Sequence, residues 1–263
     1  MMITGAVIGF IFAVNTQIPI YGFVCAAIAG ALLSVLFAVL TQYIMSNQVA
    51  TGLGLTMVGL GLSALIGKPY EGIKSPTVSK IEIPILSDIP ILGPMIFSHD
   101  AVVYFSVILV ATVAFVISKT RIGLVLRAVG ENQEAAHALG YKVVRIRFLA
   151  IMFGGATAGI GGAYISLARV PQWTEGMTAG AGWIALALVV FASWKPWRVL
   201  LGAYLFGGIT VLQLNLQAIG VAIPVEILSM SPYLVTIVVL VGISLFGHHT
   251  APGSLARPFH ASQ

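Results

Sequence analysis

The first charged side chain in this sequence is Lys68: residues 1–67 contain no Asp, Glu, Lys or Arg. No soluble domain makes its surface from such a stretch, since roughly a quarter of an ordinary soluble chain is charged. Over the whole chain the charged fraction is 8%, the hydrophobic fraction 59% and the mean hydropathy +1.03. An α-helix rises about 1.5 Å per residue, so ~20 apolar residues cross a hydrocarbon layer of ~30 Å. The 263 residues therefore read as one all-α, polytopic helical membrane domain.

Eight apolar segments stand out, at residues 2–14, 20–44, 49–66, 101–118, 148–168, 182–194, 199–216 and 233–246. The first is short for a crossing. It lacks the basic leader of a signal peptide, and the apolar pattern continues beyond it, so it reads as a structural span. Residues 1–247 thus hold spans and connections, and residues 248–263 read as a flexible tail. Trp183, Trp194 and Trp197 flank the sixth and seventh segments, where indole rings suit the membrane interface.

The net charge of +5 is gathered between the segments. Residues 119–147 carry Lys119, Arg121, Arg127, Lys142, Arg145 and Arg147 against Glu131 and Glu134, whereas residues 68–100 set three basic side chains against four acidic ones. Positive charge beside spans marks the cytoplasmic face, so the 119–147 connection is expected inside, and with eight spans both termini follow. Basic residues are nowhere interleaved with stacking aromatics, which makes membrane lipid, and no nucleic acid, the expected surroundings. Cys25 is the single cysteine, set in an apolar run without a partner for a disulfide or a metal site, and reads as packing. The histidines of the tail, His248, His249 and His260, have no scaffold that would make them ligands.

What the spans lack narrows the function. None has an ionisable side chain at its middle, yet proton relays and ion sites are usually made of such groups. An intramembrane protease would need a Ser/His or Asp/Asp pair at depth. No catalytic residue and no metal ligand set is assigned. Residues 61–69, GLSALIGKP, imitate a phosphate loop, but five residues separate the glycines and Pro69 stands where Ser or Thr would hold magnesium. The run GLGLSA at 59–64 imitates a dinucleotide fingerprint equally weakly, and helix packing accounts for both. The chain is expected to bind no cofactor, with any ATP and its magnesium held on another subunit. A stand-alone sodium-coupled carrier for a neutral solute, working through carbonyls and hydroxyls, stays open as an alternative.

Gly52, Gly54, Gly59 and Gly61 of the third segment, and Gly154, Gly155, Gly159, Gly161 and Gly162 of the fifth, allow close helix approach or local unwinding beside a cavity. Seven uncharged polar residues are the candidate substrate pathway: Asn47, Gln48, Thr51, Thr56, Gln213, Asn215 and Gln217. Gln213 and Gln217 lie one helical turn apart and share a face. Such groups match a neutral polar solute, and they equally suit bonds between helices.

The most specific stretch is GENQEAAHALG at residues 130–140. Asn132 is placed to cap a short helix, Glu134 to sit in its first turn and Gly140 to end it in a left-handed conformation. Two turns do not hold by themselves in water. A small face of Ala135, Ala136, Ala138 and Leu139 fits a groove on a partner protein better than a lipid surface.

The longer run RAVGENQEAAHALGYKV resembles the cytoplasmic coupling loop of permease subunits in bacterial binding-protein-dependent ABC importers. The group is the one for branched-chain amino acids, ribose-like sugars and nucleosides. The resemblance continues through GGATAGIGGAYISL (154–167) and GWIALALVVFASWKP (182–196). The runs IPILSDIPILGPMIF (83–97) and SPYLVTIVVL (231–240) look most like the nucleoside or simple-sugar subgroup. The resemblance implies a single permease domain in the bacterial plasma (inner) membrane that supplies half of a translocation pathway and no ATPase site. It implies that Gly130, Glu131, Asn132, Glu134, Ala135, Ala136, Leu139 and Gly140 form a coupling helix seated in a cleft of a separate ABC ATPase subunit. It further implies a second permease subunit, a related chain or a second copy, and an extracytoplasmic substrate-binding protein docked on the outer loops. Two departures accompany it. The family commonly has a further apolar segment ahead of the point matching Met1, and proline where this sequence has Gln133.

Overall fold

A computed structural model of the chain describes residues 1–82, 98–178, 180–220 and 251–259, with parts of 224–242. In chain order the elements are α1 (Met2–Thr16), α2 (Pro19–Gln42), α3 (Gln48–Gly67), β1 (Lys80–Glu82), β2 (Ser98–Asp100), α4 (Ala101–Lys119), α5 (Arg121–Glu131), α6 (Gln133–Ala138), α7 (Val143–Tyr164), α8 (Ala181–Phe191) and α9 (Pro196–Ala218). A 3-10 turn, Lys68–Tyr70, follows α3, and α7 runs into a π-turn, Ile165–Arg169. The protein is all-α and polytopic. Among the described residues, α2, α3 with its 3-10 turn, α4, α7 with its π-turn, and α9 are long and apolar enough to cross a membrane, and α1 and α8 are shorter apolar helices. These seven coincide with the first seven expected segments; the eighth, 233–246, lies largely outside the described residues. The phosphate-loop imitation at 61–69 is the end of α3 and its 3-10 turn, with no strand before it.

The chain forms two compact units, Met1–Ser106 with Ala128–Ala179 and Ala256–Gln263, and Val107–Arg127 with Gly180–Leu255. The first is organised around α1, α2 and α7. Gln17, at a left-handed φ of 59°, ends α1, and Pro19 opens α2 where a missing N–H goes unnoticed. Only Gln17 and Ile18 lie between the two helices, which run antiparallel.

Helix α7 lies against both, backbone to backbone. A Cβ on Gly159 would strike the Ala26 carbonyl oxygen, with Ala26 C at 2.9 Å and Gly30 Cα at 3.3 Å. One on Gly155 would meet the Ser34 side chain, and one on Gly162 the Met2 carbonyl oxygen. Ile3, Val7, Phe10, Ala26, Ala163, Leu167 and Trp173 fill the space around this contact. Its buried hydroxyls are satisfied: Ser34 Oγ donates to Ala31 O (2.7 Å) and Ser166 Oγ to Ala6 O (2.9 Å). Helix α3 buries the stripe Leu55, Gly59, Ser63 and Gly67, one residue per turn. The expectation of close packing thus holds for one face only. On Gly54 and Gly61 of α3, and on Gly154 and Gly161 of α7, a Cβ would meet nothing within 4 Å.

At the far end of α3 the chain is stitched to the segment after α7. Glu71 bridges Trp173, Lys74 bridges Gln172, and Ser75 N donates to Pro171 O at 3.0 Å. The buried Trp173 indole lies flush on Gly67, where a side chain would displace it. Strands β1 and β2 pair antiparallel, Lys80 opposite Asp100, a short ribbon the all-α reading did not anticipate. Asp100 ends it and begins α4: its Oδ1 accepts from Val102 N (3.0 Å) and Val103 N (3.1 Å), while its Oδ2 accepts from Tyr164 Oη (3.1 Å).

In the second unit, Gly123 packs on Val116 and Ile117, and Thr120 Oγ1 accepts from Gly123 N (3.2 Å), so α4 turns sharply into α5. Helices α8 and α9 meet at Gly202, where a Cβ would come within 2.9 Å of the Phe191 ring. Trp183 is exposed near the start of α8, and Trp194 and Trp197 lie at the turn into α9, which Pro196 opens.

Candidate functional site

The connection between α4 and α7 is two helices and a turn. The first, α5, was not resolved from the loop by sequence; the apolar positions Ile122, Val125, Leu126 and Val129 recur at helical spacing among its charges. After Glu131 the backbone of Asn132 swings to an extended φ of −145°, and its Oδ1 accepts from Ala135 N at 2.9 Å. That is a capping bond, and it starts α6 at Gln133 with Glu134 in the first turn. Leu139 closes the helix and Gly140, at φ +86°, turns the chain toward α7, its N–H donating to His137 O at 2.8 Å.

The two faces of α6 differ. Gln133 and Ala136 point inward and are buried, whereas Glu134, Ala135, His137, Ala138 and Leu139 are exposed, Leu139 to 76%. Gly130 is half-buried and Glu131, Asn132 and Gly140 are exposed. Of the residues singled out by sequence, Ala136 is therefore part of the helix's inner seat, and Glu134, Ala135 and Leu139 form what it presents outward.

The inner seat includes residues that sequence reasoning missed. Phe259, 6% exposed, packs with Val129, Ala136 and Val143, and its ring lies edge-on to His137 with centroids 5.3 Å apart. Gln133 Nε2 donates to Pro258 O at 3.0 Å, and Gln133 Oε1 accepts from Arg147 Nη1 at 2.9 Å. Both Nη1 and Nη2 of Arg147 donate to Arg257 O, each at 3.0 Å. Phe259, one of two large apolar residues in the tail with Leu255, was the available signal. His248, His249 and His260 lie outside the described residues.

The candidate pathway residues fall on two elements of different units. Asn47 caps α3, its Oδ1 accepting from Val49 N and Ala50 N at 3.0 Å each. Thr51 Oγ1 donates to Asn47 O at 2.8 Å, and Thr56 Oγ1 to Gly52 O at 2.8 Å. Gln48 is half-buried on the first turn of α3. Gln213, Asn215 and Gln217 lie on α9, with Asn215 Nδ2 donating to Val211 O at 3.0 Å. Part of the polarity read as solute contact thus serves the helices themselves. The runs 83–97 and 231–240 that pointed to a subgroup lie wholly or partly outside the described residues.

Comparison with known proteins gives the family. Residues 1–243 match the family described as the permease component of the branched-chain amino acid transport system. The chain is 37% identical to the "Putative glucose ABC transporter permease protein TsgC13" of Haloferax volcanii, over 91% of this chain and 80% of that one. It is 32% identical to the nucleoside ABC transporter permease protein NupC of Lactococcus lactis, covering 91% and 80%. It is also 32% identical to the guanosine ABC transporter permease protein NupQ of Bacillus subtilis, covering 98% and 85%. No solved structure matches the chain. With a family match across nearly its whole length and relatives that are themselves sugar and nucleoside permeases, the chain belongs to the branched-chain amino acid transport system permease family of ABC transporters.

Proposed function

We propose that this ABC permease supplies half of an import pathway for a neutral polar solute, a nucleoside or a simple sugar, and that α6 is the contact through which a separate ATPase drives it. The observation that carries the reading is α6 itself: a capped helix of six residues in the most basic connection of the chain, with Glu134, Ala135 and Leu139 turned outward. A helix this short exists only where something holds it. The names of the relatives, which refer to glucose, nucleosides and guanosine, favour a solute recognised by hydrogen bonds without net charge. Neutral amides such as Gln48, Gln213 and Gln217 suit it.

On this reading ATP and magnesium sit on the ATPase, and the present chain binds no cofactor. A second permease subunit, related or identical, completes the pathway, and an extracytoplasmic binding protein delivers the solute. The chain is multi-pass in the bacterial inner membrane with α6 and the 257–259 tail that packs on it on the cytoplasmic side, as the excess of Lys and Arg over residues 119–147 predicts. The test is reconstitution in vesicles. With ATPase, second permease and binding protein present, ATP drives uptake; the chain alone accumulates nothing under a sodium or proton gradient. Uphill uptake by the single chain overturns the proposal in favour of a secondary carrier.

A further inference from the structure

We propose that Arg257, Pro258 and Phe259 are positioning residues that clasp α6 to the base of α7, so that a displacement of α6 is delivered to the α1–α2–α7 bundle undiminished; this rests on α6 being the ATPase contact. The covalent route between the two helices is weak. It runs through residues 139–142 and pivots at Gly140, whose φ is +86° and whose open side has no packed neighbour, so that only local backbone bonds to α6 hold the turn. A push on α6 alone would be absorbed there.

The tail closes the gap on the other side. Phe259 wedges between Val129, Ala136 and Val143, which belong to α5, α6 and α7 respectively. Gln133 spends both ends of its amide, giving a hydrogen bond to Pro258 O and taking one from Arg147. Arg147 in turn holds Arg257 O with two N–H groups, and it stands one helical turn beyond Val143 on the same face of α7. Tail, α6 and α7 therefore form a closed ring of contacts. Further along, α7 is locked to α1 and α2 at Gly155, Gly159 and Gly162. The clasp uses Gln133 and Ala136 of the inner face and the ring of His137, and leaves Glu134, Ala135 and Leu139 exposed for a partner. Gln133 also occupies the first position of the helix, where proline is commonly found in the family this sequence resembles. A proline ring neither gives nor takes a hydrogen bond, so the Gln133–Pro258 bond needs the residue present here.

The experiment uses the full transporter with its ATPase and binding protein. Gln133→Pro is a clean cut: proline suits the first helical position, and the extended Asn132 before it already has the conformation proline requires. Phe259→Ala removes the wedge, and Phe259→Leu is the conservative control. Two quantities are read, backbone hydrogen exchange across α6 and solute moved per ATP hydrolysed. In Phe259→Ala and Gln133→Pro, exchange at Ala135–Leu139 rises about tenfold, and solute per ATP falls about threefold or more. Phe259→Leu retains both, and exchange around Gly159 stays at its original rate in every variant, which certifies folding. Unchanged exchange at α6 in Phe259→Ala overturns the clasp. Faster exchange with undiminished solute per ATP overturns the positioning role. A wild-type complex that protects α6 but performs no ATP-driven uptake overturns the permease mechanism of the preceding section, and the clasp's role in it falls with it.

Discussion

Replacing Gly159 by alanine tests the central packing claim, because Gly161 two residues away supplies its own control. In an exposed helix, Gly→Ala gains about 1 kcal/mol from backbone entropy alone. At Gly161 the new methyl group meets nothing within 4 Å, so that gain should appear in full. At Gly159 the same methyl is driven into the backbone of α2. Ala26 C must retreat from 2.9 Å to the 3.4 Å of ordinary contact, and the Ala26 carbonyl oxygen further still. No side chain can rotate aside, so α2 and α7 must part along their length. Overpacking of this kind costs about 1–3 kcal/mol. Propensity cancels between the two variants, leaving a difference near 2 kcal/mol, roughly a thirtyfold shift in the folding equilibrium. Unfolding of the purified chain in mixed micelles by rising dodecyl sulfate, followed through tryptophan fluorescence, reports it directly. Trp173 belongs to the same cluster. Coincident midpoints, or Gly161→Ala as the weaker protein, would refute the backbone contact.

Other consequences are open to measurement. Asn132→Ala removes the cap of α6 at a cost of about 1 kcal/mol, seen as faster exchange at Ala135, while Asn132→Ser preserves it. Tyr164→Phe deletes a hydrogen bond to a carboxylate and lowers the unfolding free energy by about 1.5–3 kcal/mol. Asp100→Ala costs more in the same assay, because the α4 cap goes with it. Leu139→Arg abolishes ATP-driven uptake with the unfolding midpoint unchanged, since that side chain is turned outward; a lowered midpoint would show that Leu139 is structural. Ala136→Arg is a poorer probe of docking, because the residue is buried with Phe259.

The existence and order of the apolar helices were legible because an apolar run is a one-dimensional signal and the bilayer sets its length. The ends of α6 were legible for a second reason: Asn132 and Gly140 act within three residues of themselves, whereas Asn47, named for the pathway, caps α3. Which side of a helix touches which neighbour was not. Gly159 and Gly161 read alike in the sequence, yet ~200° of helical rotation separates them, and only the first meets another helix. The start of α7 was misjudged because Arg145 and Arg147 read as loop charges, although they occupy its first turns. The tail read as flexible because its hold on α6 and α7 depends on residues more than a hundred positions away. Among the pathway residues, hydroxyls that bond their own helix cannot be told from those offered to a solute without coordinates.

The clasp also sets a schedule. Gln133 and Pro258 are 125 residues apart, and ribosomes add about 5–20 residues per second, so roughly 6–25 s separate their synthesis. During that interval α6 has been translated while the groups that tether its inner face do not yet exist. On the proposed coupling, a motor subunit docking on a nascent chain would meet an unbraced lever, and competent assembly would wait until Phe259 has cleared the ribosome.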